Sequence, residues 1–288
     1  MMRRLLPTGF LWLGCTWAGV TGIDDRGQIL TLPQAAARVV SLSPHATELL
    51  AEVGAVSKLI AVDSASDYPV AVAKLPKVGS YGAINVEAIV ALKPDLVVAW
   101  EGPGSSAGLK RLRDLGVPVF ASTPGKIEQI PAAAKELGRL VGADAQAERF
   151  AGKFIQDWQA LKLRYQTLPS HQTLLLVGGS PAISINDEQF LAQAVTPCGV
   201  RNLYGASKPA VPIVSDEAVL AAKPELIIAV ANPAESRRWF AHWQGYSALP
   251  AVSRQRLVQA DPIRLGRPGP RLVAAVDQLC RRIMALPR

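Results

Sequence analysis

The sequence predicts an α/β protein of two similar lobes, each with a parallel central sheet, bridged by one long α-helix. The first observation is a repeat: residues 87–99 (EAIVALKPDLVVA) and 217–229 (EAVLAAKPELIIA) are identical at seven of thirteen positions. The copies begin 130 residues apart, which is too long for a solenoid repeat and close to the size of one lobe. The second observation is an apolar stripe with helical spacing from Phe150 to Leu168, between the two copies.

Each copy of the repeat encodes a short helix, a tight turn and a buried strand. Asn85 and Ser215 precede the repeated glutamates by two residues, and both are good N-cap residues. A Lys-Pro pair ends the helix, because proline cannot continue it and biases the preceding residue away from helix. The apolar runs Leu96–Trp100 and Leu226–Ala231 follow. Runs without a polar face are typical of parallel strands covered by helices on both sides.

Residues 1–18 have the pattern of a secretory signal peptide. Arg3 and Arg4 are followed by a mostly apolar stretch, and Thr16–Ala18 is an acceptable small-x-small cleavage site. A membrane anchor is the alternative, but the stretch is too short to span a bilayer. A lipid anchor at Cys15 is a second, less favoured alternative. No later segment offers eighteen apolar residues, so we expect an exported, soluble mature protein.

The first lobe is predicted over residues 24–143. It opens with a small hairpin at Asp25–Gln28, because this turn sequence lies between two short apolar runs. The repeat unit supplies the middle of the lobe. The other predicted elements are the strand 38–42, the helix Ala46–Val53, the strand Leu59–Val62, the loop Asp63–Pro69, the helix Leu109–Leu115 and the strand Val117–Ala121.

The bridging helix is predicted over residues 144–168 and the second lobe over 169–288. Gly152 is the one glycine in the bridging segment, which contains no proline. At 1.5 Å per residue its 25 residues span about 37 Å, long enough to cross both lobes and to limit their relative motion. The second lobe is expected to begin with the strand Leu174–Val177 and to close with a helix from about Pro270 to Leu286.

Composition and cysteine count exclude several classes of protein. The net charge is +8, but the Lys and Arg residues are scattered and the aromatics are not interleaved with them, so no nucleic-acid module is indicated. CxxC spacing is absent and there are three histidines, so no metal site is predicted. Outside the leader, Cys198 and Cys280 remain, and in an oxidising compartment they form either a disulfide or two buried thiols.

Four segments together resemble the helical-backbone class, class III, of ABC-transporter substrate-binding proteins. They are Arg38–Glu48 (RVVSLSPHATE), Ser66–Pro69, Asn85–Trp100 and Arg267–Arg271 (RPGPR). The resemblance covers about residues 25–286 and implies two Rossmann-like lobes that capture a small molecule between them. It also implies a monomeric, periplasmic binder without enzymatic activity, which delivers its ligand to a permease dimer with ATPase subunits.

Within this class the sequence is most similar to members that bind cobalamin. Their pattern NLE-x-IVALKPDLV-x-AW matches Asn85–Trp100, and they have a cysteine pair at Cys198 and Cys280. The resemblance implies cobalamin as transported ligand and no other cofactor, with a haem or ferric-siderophore binder of the same class as the alternative. Ala65 and Ile213 depart from the pattern, because cobalamin binders have a tyrosine and a tryptophan there.

The resemblance also implies which residues line the ligand cleft. Trp100 matches a ring-stacking tryptophan, Tyr81 stands where cobalamin binders have another tryptophan, and Arg267 matches a cleft arginine. His45 follows the first strand and could ligate cobalt or haem iron, or simply line the cleft. The implied ligand-binding set is His45, Asp67, Tyr68, Tyr81, Trp100, Arg201, Arg264 and Arg267.

The repeated glutamates, Glu87 and Glu217, match residues that dock such proteins onto the permease. Each would lie at the exposed tip of one lobe and pair with permease arginines, because two rigid carboxylates far apart fix orientation and register. The alternative is that each glutamate only complements the dipole of its own helix.

A secreted serine hydrolase is the remote alternative from another class of protein. Gly104–Gly108 fits the G-x-S-x-G nucleophile elbow, with Ser106 as the nucleophile and His171 or His242 as the base. The elbow requires its serine directly after a strand, whereas three residues intervene after Trp100. No phosphate-binding GxxxxGK[ST] motif is present, so energy for transport would come from other subunits.

Overall fold

The computed structural model describes residues 19–287, and it contains two α/β lobes. The strands of the first lobe are β1 (Val20–Ile23), β2 (Ile29–Leu32), β3 (Val39–Ser41), β4 (Leu59–Val62), β5 (Gly79–Ser80), β6 (Ala83–Ile84), β7 (Leu96–Ala99) and β8 (Val119–Ala121). Its central sheet has the order β4-β3-β7-β8, in which every pairing is parallel. Its helices are α1 (Pro44–Glu52), α2 (Val86–Ala91), α3 (Ser106–Asp114) and α4 (Gln129–Leu140).

The second lobe repeats this architecture with the order β12-β9-β14-β15, again all parallel. Its strands are β9 (His171–Leu176), β10 (Gly178–Gly179), β11 (Ala182–Ile183), β12 (Val200–Asn202), β13 (Ile213–Val214), β14 (Leu226–Val230) and β15 (Leu257–Ala260). The bridging helix is α5 (Asp144–Tyr165), and the helices of the second lobe are α6 (Phe190–Val195), α7 (Asp216–Ala222), α8 (Pro233–Gln244), α9 (Pro250–Ser253), α10 (Pro262–Gly266) and α11 (Leu272–Met284). The predicted fold class is therefore confirmed.

The repeat folds in the same way in both lobes. The Asn85 side chain accepts a hydrogen bond at the start of α2, and Ser215 does the same at the start of α7. Both copies leave the helix through a lysine in the left-handed region, Lys93 with φ 46° and Lys223 with φ 50°. The next residue is proline in each case, which disfavours the right-handed helical conformation at the lysine. The capping and termination predicted for the repeat are confirmed.

The bridging helix α5 has 22 residues and ends at Tyr165, before the predicted boundary at residue 168. Its length is about 33 Å. Ala147, Phe154 and Trp158 are buried on one face of this helix. They belong to one continuous apolar core that includes α1 and α4 of the first lobe and β9 and α11 of the second. The two lobes are therefore joined by packed apolar side chains as well as by the chain itself.

Of the two alternatives for Cys198 and Cys280, a disulfide or two buried thiols, the structure has the disulfide. Both cysteines are fully buried, and the bond joins the 3₁₀ turn Thr196–Cys198 to α11. The predicted signal peptide and the alternative lipid anchor at Cys15 lie outside the described residues. Within residues 19–287 no helix has both the length and the apolarity needed to span a bilayer.

Candidate functional site

The carboxyl ends of the first-lobe strands open into a cleft between the lobes, where ligands bind in open α/β sheets. A cavity of about 480 Å³ lies there. Its walls come from the loops after β3, β4 and β7 and from the β5–β6 hairpin, and Gly266–Pro268 contribute from the second lobe. The lining residues are Leu42, Ser43, Pro44, His45, Asp63, Ala65, Ser80, Tyr81, Gly82, Trp100, Gly266, Arg267 and Pro268.

Trp100 and His45 form an aromatic pair in the floor of this cavity. Trp100 directly follows β7, and the His45 ring meets it edge-on, with centroids 5.4 Å apart and planes at 88°. The Nε2 atom of His45 lies 3.0 Å from the hydroxyl oxygen of Ser122, and only 3% of His45 is exposed. Burial lowers the pKa of His45 to about 4, so the ring is neutral at neutral pH. His45 therefore supports Trp100 through an edge contact and has one ring nitrogen already engaged.

Tyr81 lies at the tip of the β5–β6 hairpin and is 48% exposed. Its ring packs against Gly102 and Gly104, which follow Trp100 in the chain. A methyl group on Gly104 would lie 2.8 Å from Cε1 of Tyr81, and one on Gly102 would lie 2.5 Å from the Tyr81 hydroxyl. Only glycine allows the ring to lie this close to the loop. Tyr81 and Trp100 therefore line one side of the cavity together.

Two arginines of the second lobe bind one buried glutamate of the first lobe, and we call this group the inter-lobe clasp. Nη1 of Arg267 donates to Glu48 at 2.9 Å, and Nε of Arg271 donates to the same carboxylate at 2.9 Å. The Glu48 side chain is 1% exposed. Arg267 also donates to Asp67 at 2.7 Å, and Arg271 lies 4.4 Å above the Tyr68 ring. The hydrogen bonds that Arg271 donates to Glu48 raise the pKa of Arg271.

The inter-lobe clasp changes the roles expected for Asp67 and Tyr68. Neither lines the cavity, because Asp67 pairs with Arg267 and Tyr68 stacks under Arg271. Glu48 and Arg271 were missed as functional residues. They lie inside the segments HATE and RPGPR, whose resemblance to a family was the one signal that pointed to them.

Two predicted cleft arginines lie elsewhere. Arg201 pairs in register with Gln172, at the amino end of β9, so it lies away from the carboxyl ends that face the cleft. Arg264 binds Asp261 at 2.7 Å and Gln278 at 3.0 Å within its own lobe. Neither lines the cavity around Trp100. Their assignment to the ligand-binding set stays a prediction, and in this structure both guanidinium groups lie outside this cavity.

The repeated glutamates occupy equivalent places in the two lobes. Glu87 lies in the first turn of α2 and Glu217 in the first turn of α7, and both side chains are exposed. Glu87 forms an ion pair with Arg111 of α3 at 3.1 Å. Hydrogen bonds at the helix start, from its own backbone and from Ser215, hold the pKa of Glu217 below its usual range.

Comparison with known proteins decides the family. The family model for periplasmic binding proteins matches residues 39–263. The chain is a periplasmic binding protein. It is 35% identical to a vitamin B12-binding protein of Yersinia pestis over 260 residues, which cover 90% of this chain and 91% of that relative.

Solved structures of periplasmic binding proteins show the same fold. The periplasmic vitamin B12 binding protein of Vibrio cholerae superposes with a TM-score of 0.79 at 29% identity, covering 86% of this chain and 97% of that structure. A periplasmic haem binding protein from Pseudomonas aeruginosa gives a TM-score of 0.74 at 26% identity, covering 88% and 94%.

In this periplasmic binding protein the residues of the hydrolase hypothesis do not converge. The Ser106 hydroxyl donates to the backbone oxygen of Gly102 at 2.7 Å. His242 lies in the second lobe, 2.9 Å from Asp216, and His171 begins β9 of the same lobe. The nucleophile and its two possible bases are therefore in different lobes. Within residues 19–287, no group of three or more His, Cys, Asp and Glu side chains is placed to hold a metal ion.

Proposed function

We propose that this protein captures cobalamin between its lobes in the periplasm and delivers it to an ABC permease. The observation that carries the proposal is an aromatic wall, Trp100 and Tyr81, that faces a cavity whose arginine is already neutralised. The relatives named for vitamin B12 support the same ligand.

The charge of the cavity favours a neutral ligand. Among the described residues that line it, Asp63 and Arg267 carry formal charge. Asp63 accepts hydrogen bonds from Ser66 and from the backbone of Ala65, and Arg267 is held by Glu48 and Asp67. An unpaired cation would strengthen the binding of haem propionates or anionic siderophores, and no residue that lines this cavity supplies one. A corrin presents a broad apolar face rimmed by neutral amides, which suits an aromatic wall without an unpaired cation.

Calorimetric titration of the mature protein with cyanocobalamin tests this function. We expect one-to-one binding at micromolar affinity or tighter, and weaker binding of haemin and of a ferric siderophore. Trp100→Ala should weaken cyanocobalamin binding about 30-fold, because it removes about 2 kcal/mol of central aromatic contact. Trp158→Phe is the matched control, since Trp158 lies in the core on α5. Tight haemin binding without cyanocobalamin binding would assign haem to the site instead.

Delivery is proposed to use Glu87 and Glu217, which would pair with arginines on the two permease subunits. Exposed carboxylates at helix starts in both lobes support this role, because they offer two rigid anionic contacts. The Glu87→Gln, Glu217→Gln double variant should keep its cyanocobalamin affinity. In vesicles that hold the cognate permease and ATPase, its uptake rate should fall at least about tenfold, as expected when two charge pairs of about 1 kcal/mol each are lost.

The control for docking is a double variant with the same change of charge elsewhere, Glu148→Gln with Glu235→Gln. These glutamates lie on α5 and α8, outside the repeated helices α2 and α7. Equal uptake by the docking variant and the control would refute the docking role without affecting the ligand assignment.

A further inference from the structure

We propose that the tip of the N-terminal hairpin, Asp24–Arg26, is part of the ligand-binding machinery. This hairpin tip joins β1 to β2, outside the central sheet. It contacts the two loops that follow β7 and β8: the first contains Trp100, and Ser122 in the second contacts His45. Its residues act through Trp100 and His45, so they are positioning residues rather than ligand contacts.

The first anchor is on the loop after β8, the edge strand of the sheet. The backbone N–H of Asp25 donates to the carbonyl of Ala121 at 3.0 Å. In return, the N–H of Ala121 donates to the Asp24 carboxylate at 3.2 Å, and the N–H of Thr123 donates to the Asp25 carboxylate at 2.6 Å. These three hydrogen bonds involve backbone groups of β8 and of the loop after it, on the side of β8 that pairs with no strand of the central sheet. They fix the backbone on both sides of Ser122.

Ser122 links this first anchor to the aromatic pair in the cleft. It is fully buried, and its N–H donates to the carbonyl of Ala99 at 2.8 Å. Its hydroxyl meets Nε2 of His45 at 3.0 Å, and the His45 ring supports the Trp100 ring edge-on. A continuous set of contacts therefore runs from the Asp25 carboxylate to the Trp100 ring, which lines the cavity.

The second anchor is on the loop after β7. Nη1 of Arg26 lies 2.5 Å from Oε1 of Glu101, the residue that follows Trp100. The Glu101 side chain is 7% exposed, and its other oxygen binds Arg113 of α3 at 2.6 Å. A carboxylate bound by two guanidinium groups has one preferred orientation. Glu101, and with it the backbone next to Trp100, is therefore held by Arg26 of the hairpin tip and by Arg113 of α3.

Burial of the Asp25 carboxylate lowers the stability of the folded protein, whereas an aspartate in a solvent-exposed turn has no such cost. Burial raises the pKa of Asp25 to about 6, even though the hydrogen bond from Thr123 opposes this. An aspartate that only closed the hairpin turn would not need to have its carboxylate buried. The desolvated carboxylate is consistent with a task at the cleft loops.

The affinity part of the test rests on the proposed function, whereas the fluorescence part does not. Arg26→Ala and Asp25→Ala are compared with the parent for cyanocobalamin affinity, thermal midpoint and acrylamide quenching of Trp100. The Trp100 emission is obtained by subtracting the spectrum of the same variant carrying Trp100→Phe. Thr21→Ala, in the stem of the hairpin, is the matched control.

We expect both tip variants to bind cyanocobalamin about tenfold more weakly, the equivalent of about 1.4 kcal/mol, and to expose Trp100 to quenching. Asp25→Asn should restore both properties, because an amide oxygen still accepts from Thr123. Arg26 is 53% exposed, so Arg26→Ala keeps the test valid if Asp25→Ala folds poorly. Trp100 quenching equal to the parent in Arg26→Ala and Asp25→Ala would overturn the proposal, whatever happens to the thermal midpoint. If the parent itself binds no cyanocobalamin, the proposed ligand fails and the quenching comparison still decides the role of the hairpin tip.

Discussion

Replacing Glu48 with alanine is expected to lower the free energy of unfolding by about 3–5 kcal/mol, because it leaves buried charge without its partner. Glu48 is 1% exposed and receives hydrogen bonds from both Arg267 and Arg271. The two guanidinium groups are 16% and 25% exposed, so water replaces the lost carboxylate poorly. Urea denaturation of the mature protein measures the change.

Asp67→Ala is the matched control for the inter-lobe clasp. Asp67 also accepts a hydrogen bond from Arg267, but its side chain is 58% exposed. An exposed ion pair contributes about 0–1 kcal/mol, so this variant should lose much less stability than Glu48→Ala. Equal losses in the two variants would show that burial of Glu48 does not determine the strength of the inter-lobe clasp.

Removal of the Cys198–Cys280 disulfide is expected to lower the free energy of unfolding by up to about 4 kcal/mol. The bond closes a separation of 82 residues, and opening it returns that conformational freedom to the unfolded chain. Replacing both cysteines with alanine keeps the site apolar, and chemical denaturation then reports the change. The lobe should still fold, because both positions lie within the continuous apolar core.

Reduction provides the control for the disulfide. The parent treated with a reductant should approach the stability of the double alanine variant, and that variant should not respond to the reductant. A parent whose denaturation midpoint is the same with and without reductant would contradict the expected contribution. The Glu48→Ala variant retains the disulfide, so the contribution of the inter-lobe clasp is measured separately from that of the disulfide.

Elements with strong local signals were predicted well. In each repeat unit the helix has an Asn or Ser N-cap at its start and a Lys-Pro pair after its end, and both units fold as predicted. Two long helices, α4 and α8, were not predicted, because each has a proline in its first turn and a proline is usually a sign of a turn or of a helix end. Asn232-Pro233 resembles a turn yet caps and opens α8, and Pro131 lies within the first turn of α4. Proline is tolerated in the first turn of a helix, where its missing N–H is not needed.

The candidate site residues differ in whether the structure brings them to the cavity. Trp100, Tyr81, His45 and Arg267 line one cavity. Trp100 directly follows β7, and Tyr81 lies in the β5–β6 turn, whereas His45 lies at the start of α1 and Arg267 directly follows α10. Arg201 lies outside this cavity, and an exposed strand residue gives no sequence signal for which end of the sheet it occupies. The contribution of the hairpin tip also had no signal, because Asp25 and Ser122 are far apart in the chain.

The sequence by itself determined the two lobes, the starts and ends of the repeated helices, and the buried strands, because capping and periodicity are encoded within a few residues. Only the tertiary structure decided the charge of the cleft. Whether Arg267 is free for an anionic ligand depends on Glu48, which is 219 residues away and belongs to the other lobe. Local patterns carry no information on such a pairing, since it forms only when the two lobes pack against each other.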